Sequence, residues 1–126
     1  MPDPTIPIVY IVFNGPLGMS PGKMTAQAFQ LAERLFRAAD SYDVPMGERV
    51  DHLQRVGAWR KHTTTITRVA KTPTMWERVK AEVEGVVMVD EGYTEVEPGS
   101  ETCFASWPML VGDAPKILSN AKVPLL

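Results

Sequence analysis

From Ile6 to Phe13 the chain reads Ile-Pro-Ile-Val-Tyr-Ile-Val-Phe, with no charged side chain in the run. A strand with one wet face alternates apolar and polar residues. This run does not alternate, so both of its faces must be buried. It is predicted to lie centrally in a sheet, and Asn14-Gly15-Pro16 ends it. A central strand with two dry faces fixes much of what the remaining sequence must do. Other segments have to extend the sheet on either side, and amphipathic helices have to cover it.

Those segments can be read off in order. Ser20 is a good N-cap and Pro21 suits the first helical position. The spacing predicts a helix from there to Ala39, with Met24, Ala28, Leu31, Ala32, Leu35, Phe36 and Ala39 on its apolar face. Lys23, Gln27, Gln30, Arg34 and Arg37 recur at intervals of four and three as a separate polar stripe. After a polar connector at 40–47, a helix over 48–59 is expected to turn Val50, Leu53 and Val56 inward. The Thr-rich run 63–70 reads as a strand nearer an edge. Thr74-Met-Trp-Glu77 has the capping-box pattern, opening a helix that buries Trp76, Val79 and Val83 and stops at Gly85. Residues 86–89 and 102–107 read as core strands, with Cys103 packed inside the second, and 113–119 as a short helix. The expectation is one α/β domain over residues 1–126, three layers deep, with a four-stranded mixed sheet covered by helices on both faces.

Bulk properties remove several function classes. At 126 residues and 44% hydrophobic content the chain can bury a real core. Its formal net charge of −2 gives no global signature of nucleic acid, so any such partner needs a local patch. A single cysteine, Cys103, excludes an internal disulfide. No C-x-x-C or H-E-x-x-H spacing occurs, and neither a metal nor another cofactor is expected. The apolar run 6–13 is too short to span a membrane, and the N-terminus lacks a basic leader, so a cytoplasmic location is expected. The stretch before Lys23 is not a phosphate-binding P-loop. That pattern needs Gly where Leu17 stands and Ser or Thr where Met24 stands.

Polar chemistry concentrates in Asp90-Glu-Gly-Tyr-Thr94-Glu-Val-Glu-Pro-Gly99-Ser100-Glu-Thr102, a connector between two apolar runs. Loops held between strands commonly carry function, although turn chemistry alone also accounts for the Gly and Pro. Lys23 is unusual because a cation in the first helical turn opposes the macrodipole. It is either a solvated lysine or one held there to meet an anion. Arg60-Lys61-His62 beside Trp59 is read first as a solvated strand entry, and otherwise as a phosphate contact with a stacking ring nearby.

With Leu17-x-Met19-x-x-Gly22-Lys23-x-x-Ala26-Gln27 and Asp90-x-Gly92-x-Thr94-x-Val96-x-Pro98-Gly99-Ser100-x-Thr102, the sequence resembles the archaeal/eukaryotic-type peptidyl-tRNA hydrolase family. The resemblance implies hydrolysis of the ester between a peptide, or an N-blocked amino acid, and tRNA, by a homodimer without metal or organic cofactor. It places the family's functional residues on Lys23, Asp90, Thr94 and Thr102. Gln27, Gln30, Arg34, Gly99, Ser100, Arg60 and Lys61 are the substrate-binding candidates beside them. Asn14 and Pro16 stand where the family usually has Arg and Asp, and Gln30 where it usually has His. In the mechanism expected, Asp90 orients water and Lys23 acts electrostatically. The two threonine hydroxyls position the water or ester carbonyl, and backbone N–H groups at Gly99-Ser100 form an anion nest. The competing expectation is a non-catalytic RNA- or protein-binding module that keeps the fold.

Overall fold

The computed structural model describes residues 2–90 and 95–126. The chain order is β1 (Val9–Asn14), α1 (Pro21–Ala39), α2 (Met46–Trp59), β2 (Thr65–Ala70), α3 (Pro73–Glu82), β3 (Gly85–Val89) and β4 (Glu101–Ser106), with short 3-10 turns at Gly15–Leu17, Val111–Asp113 and Lys116–Ser119. The four strands form one mixed sheet in the order β2-β1-β4-β3. β1 runs parallel to β2 and antiparallel to β4, and β4 is antiparallel to β3. The apolar run is therefore an inner strand, as its two dry faces require, and the Thr-rich strand lies outermost.

Alternate residues of the first run divide between two apolar clusters. Ile8, Tyr10 and Val12 pack with Trp76 and Val79 of α3 and with Ile117 and Leu118. Val9 and Phe13 pack with Leu31, Leu35 and Ala39 of α1 and Val56 of α2. This period of two is what sends helices of different sequence position to different faces of one strand. No helix among the described residues is long and apolar enough to cross a membrane.

Four local expectations are corrected. In α2 the buried side chains are His52 and Val56, while Val50 and Leu53 are 44% and 41% exposed. The ring of His52 stacks on Trp107 at 3.9 Å between centroids, and this rotates the helix away from the face that hydropathy alone selects. The cap of α3 is Thr72, which accepts from the Met75 N–H at 3.1 Å, with Pro73 first in the helix, rather than Thr74. Gly85 is not a helix terminator. It opens β3, where a Cβ would stand 2.1 Å from the carbonyl oxygen of Ala105. β3 itself is an outer strand, and Val89 is 39% exposed.

The apolar C-terminal tail has a role that periodicity did not reveal. The N–H groups of Val69 and Lys71 donate to the carbonyls of Pro124 and Lys122, at 2.9 and 3.1 Å, and the Leu126 N–H donates to Thr67. The tail thus satisfies backbone groups along the outer side of β2, which would otherwise be an open pairing edge.

Candidate active site

Antiparallel pairing twice over makes β3 run in the same direction as β1. The C-terminal ends of β1 and β3 and the start of β4 consequently lie at one end of the sheet. α1 begins just beyond β1, so its first turns rise from that same end. Side chains separated by more than sixty positions in sequence come together there.

Lys23 Nζ lies 2.8 Å from Asp90 Oδ1, and the two side chains are only 9% and 7% exposed. One helical turn on, Gln27 Nε2 donates to the same carboxylate oxygen at 3.0 Å. The Thr102 hydroxyl donates to Gln27 Oε1 at 2.6 Å. Gln27, Asp90 and Thr102 are all buried. The amide orientation follows from the network: its oxygen must face the hydroxyl and its nitrogen the carboxylate. An ion pair this dry survives because the carboxylate is hydrogen-bonded by Gln27 as well as paired.

A defect in the sheet delivers Thr102. Met88 pairs with Cys103 but Val89 with Glu101, so a register shift leaves Thr102 without a partner across the ladder. Such bulges re-aim a side chain. Next to it, Cys103 is fully buried, and burial pushes its thiol up to about 12. It stays a protonated thiol and is no nucleophile.

The loop is closed by backbone bonds. The Asp90 N–H donates to the Ser100 carbonyl at 2.9 Å, and the Gly99 N–H returns to the Asp90 carbonyl at 2.8 Å. Gly99 has φ +84°, a conformation that glycine adopts without penalty. The Ser100 N–H donates to Glu97. The anion nest expected at Gly99-Ser100 is therefore not available, because both N–H groups are already committed to carbonyls within the loop.

Glu95 was not among the sequence candidates. Its carboxylate accepts from the Ser20 N–H at 2.8 Å and from the Ser20 hydroxyl, tying the loop to the start of α1. The Ser20 hydroxyl and backbone hold the Glu95 carboxyl below its ordinary value, and the charge of nearby Lys23 adds to this. Nothing local in the sequence signals a bond between residues 20 and 95. The Asn14 amide donates to the Glu101 carbonyl at 2.8 Å, so it ties β1 to β4.

The remaining candidates are dispersed. Gln27 leaves the expected surface stripe and lies inside, while Gln30 and Arg37 are exposed and Arg34 is half-buried beyond it along α1. The Arg60 guanidinium sits 4.5 Å over the Phe36 ring. Phe36 is thirteen residues along α1 from Lys23, about 20 Å at the helical rise. Arg60 and Lys61 precede β2, at the opposite end of the sheet, and the structure does not bring them to Lys23. Thr94 lies outside the described residues. Among the described residues no group of three or more His, Cys, Asp or Glu side chains is arranged to hold a metal ion.

A buried lysine, a carboxylate and an amide fixed by a hydroxyl can orient a water molecule and stabilise an anion. The family model described as peptidyl-tRNA hydrolase PTH2 matches residues 8–123. The chain belongs to the PTH2 family. That match spans all seven helices and strands among the described residues and both arms of the Lys23–Asp90 contact. No curated protein matches the chain significantly. Membership of the PTH2 family supports peptidyl-tRNA hydrolase chemistry in general and a tRNA substrate as its class.

Proposed function

We propose that this chain hydrolyses the ester joining a peptide, or an N-blocked amino acid, to the terminal ribose of tRNA, and so releases free tRNA. The family supplies the reaction class. The observation that carries the assignment to this pocket is the convergence of Lys23 Nζ and Gln27 Nε2 on one oxygen of Asp90.

In this reading Asp90 orients the attacking water. A carboxylate in contact with an ammonium is a weak base, so orientation outweighs proton abstraction. Water adds to the ester carbonyl carbon, and the resulting oxyanion forms beside the Lys23 ammonium. The bond to the ribose oxygen then breaks, and that oxygen leaves with the proton the water gives up. A preorganised charge of this kind is worth on the order of 10²–10³ in rate. Thr102 acts through Gln27, as a positioning residue. Thr94 is retained as a candidate from the motif. By the family resemblance the working form is a homodimer, and the lack of a basic leader and of a membrane-length apolar run supports a cytoplasmic location; sedimentation and fractionation would test the two.

The test is release of labelled N-blocked amino acid from tRNA by the purified protein. Asp90→Asn and Lys23→Ala should each lower kcat/KM by about 10²–10³-fold. Equal rates in all three proteins would remove the assignment. Tight tRNA binding without turnover in the wild type would leave a binding module that kept the fold.

A further inference from the structure

A cleft of about 690 Å³ lies where β3 begins and β4 ends. Glu48, Asp51 and His52 of α2 line one wall, and Lys80, Glu82, Glu84 and Trp107 line the other. It belongs to the opposite end of the sheet from the Lys23–Asp90 pocket. Gly85, in its lining, and Asp90 are five residues apart along β3, about 16 Å at the rise of a strand. The volume is within the usual range for a small-molecule site.

Four carboxylates and one ammonium line this cleft, a local excess of negative charge in a chain whose net charge is only −2. The ammonium is already engaged, since Lys80 donates to Glu77 and to Glu101. Arg78 holds Glu82 at 2.7 Å, but Asp51 is 3.9 Å from Arg55, and Glu84 has no cation beside it among the described residues. Acids alone would make a solvated rim. The deciding feature is His52 beneath them. It is 8% exposed, and its ring makes no hydrogen bond: Nδ1 is buried without a partner, and Nε2 stays 3.9 Å from Glu48 Oε1, too far for one. Only Nδ1 is sealed from solvent, so Nε2 is the nitrogen that opens to the cleft. A polar group buried with unused bonding capacity costs free energy that a ligand can recover.

The lining selects the ligand. Carboxylates only accept, and a neutral imidazole offers a lone pair, so the ligand must bring donors. A metal ion does not fit, because among the described residues no three His, Cys, Asp or Glu side chains are arranged to hold one. The carboxylates are spread over two walls, which suits positive charges spaced along a flexible chain. A peptide brings a carbonyl with every residue, and the one cationic donor of the lining, Lys80, is committed elsewhere. An aliphatic polyamine brings N–H donors alone, and its methylenes can lie against the stacked pair of His52 and Trp107. We propose that this cleft binds a free linear polyamine, with one ammonium between His52 Nε2 and Glu48 and another at Glu84. The site is independent of the hydrolase reading, since no residue of the Lys23–Asp90 network lines it.

Calorimetric titration of the purified chain with spermidine at low salt tests this. One saturable site is expected, weakening as salt rises. Glu48→Gln and Glu84→Gln should each weaken it roughly 2- to 5-fold. Glu33→Gln, which removes the same charge from the exposed face of α1, should leave it unchanged. His52→Phe keeps a ring against Trp107 but removes both nitrogens, and it should weaken binding at least as much as Glu48→Gln. No saturable binding up to about 1 mM spermidine overturns the proposal. Equal weakening by Glu33→Gln also overturns it, because attraction to the overall charge would then be the whole effect. So does unchanged affinity in both Glu84→Gln and His52→Phe, or full displacement of spermidine by magnesium ions at equal charge. Tighter binding of amidated dilysine, which has the charge of spermidine plus peptide groups, overturns it in favour of a peptide partner.

Discussion

Gln27 shows how much one side chain's setting decides. Its amide bridges Asp90 and Thr102, so loss of either end leaves a buried polar group without a partner. Gln27→Ala and Thr102→Val are each expected to lower kcat by about 10²-fold, since small displacements of a positioned group cost that much. If Thr102 acts only through Gln27, the double variant should be little worse than either single one. Kinetics of the four proteins check this, and fully additive losses would mean that Thr102 reaches the substrate directly. The family resemblance singled out Lys23, Asp90 and Thr102, and the structure brings these three side chains into one network. The role of Gln27 was not legible in the sequence, because a polar residue at helical spacing from Lys23 fits an outer stripe as well as an inner one. Only its contacts decide between the two.

Among the elements, α1 carries Lys23 and Gln27 while β3 and β4 bring in Asp90 and Thr102, and the register of these two strands depends on close backbone approach. Gly85 faces Ala105 and the ring of Phe104, where an added Cβ would lie 2.1 and 2.5 Å from its neighbours. The 2.1 Å neighbour is a backbone carbonyl and cannot swing aside. Gly85→Ala should therefore destabilise the fold by about 1–3 kcal/mol, as overpacking does, measured by urea unfolding. A shift under 0.5 kcal/mol would mean that the strands can separate locally. Sequence patterns placed this glycine at a helix end, since a glycine after an amphipathic run has that role more often. The close approach responsible lies across the sheet, with Ala105 twenty positions away. The same limit explains α2, where stacking on Trp107 buries His52 and leaves Val50 and Leu53 at the surface.

At the scale of the molecule, ion pairs join the sheet end to its helices, and they set an acid limit to stability. The Lys80 ammonium, and then the Trp76 N–H, hold the Glu101 carboxyl below its ordinary value of 4.5. Glu95 is shifted the same way by Ser20. For a carboxyl depressed in the folded state, the stabilisation is complete above the unfolded value and is lost as pH falls through the folded one. Unfolding midpoints should hold between pH 7 and 5 and drop below about pH 4.5. Glu101→Gln should be less stable at pH 7 and lose less on acidification. Parallel pH profiles for the two proteins would show that these contacts contribute nothing.

The sequence by itself determined the inner strand, the order of elements, the helical face of α1 and the two motifs, because periodicity, caps and turn residues act over a few positions. The tertiary structure alone decided that Gln27 lies inside, that a bulge presents Thr102, that Glu95 ties down Ser20 and that the tail covers β2. Each of these depends on contacts between residues far apart in the chain, whose energy comes from burial and from partners that exist only once the sheet has formed.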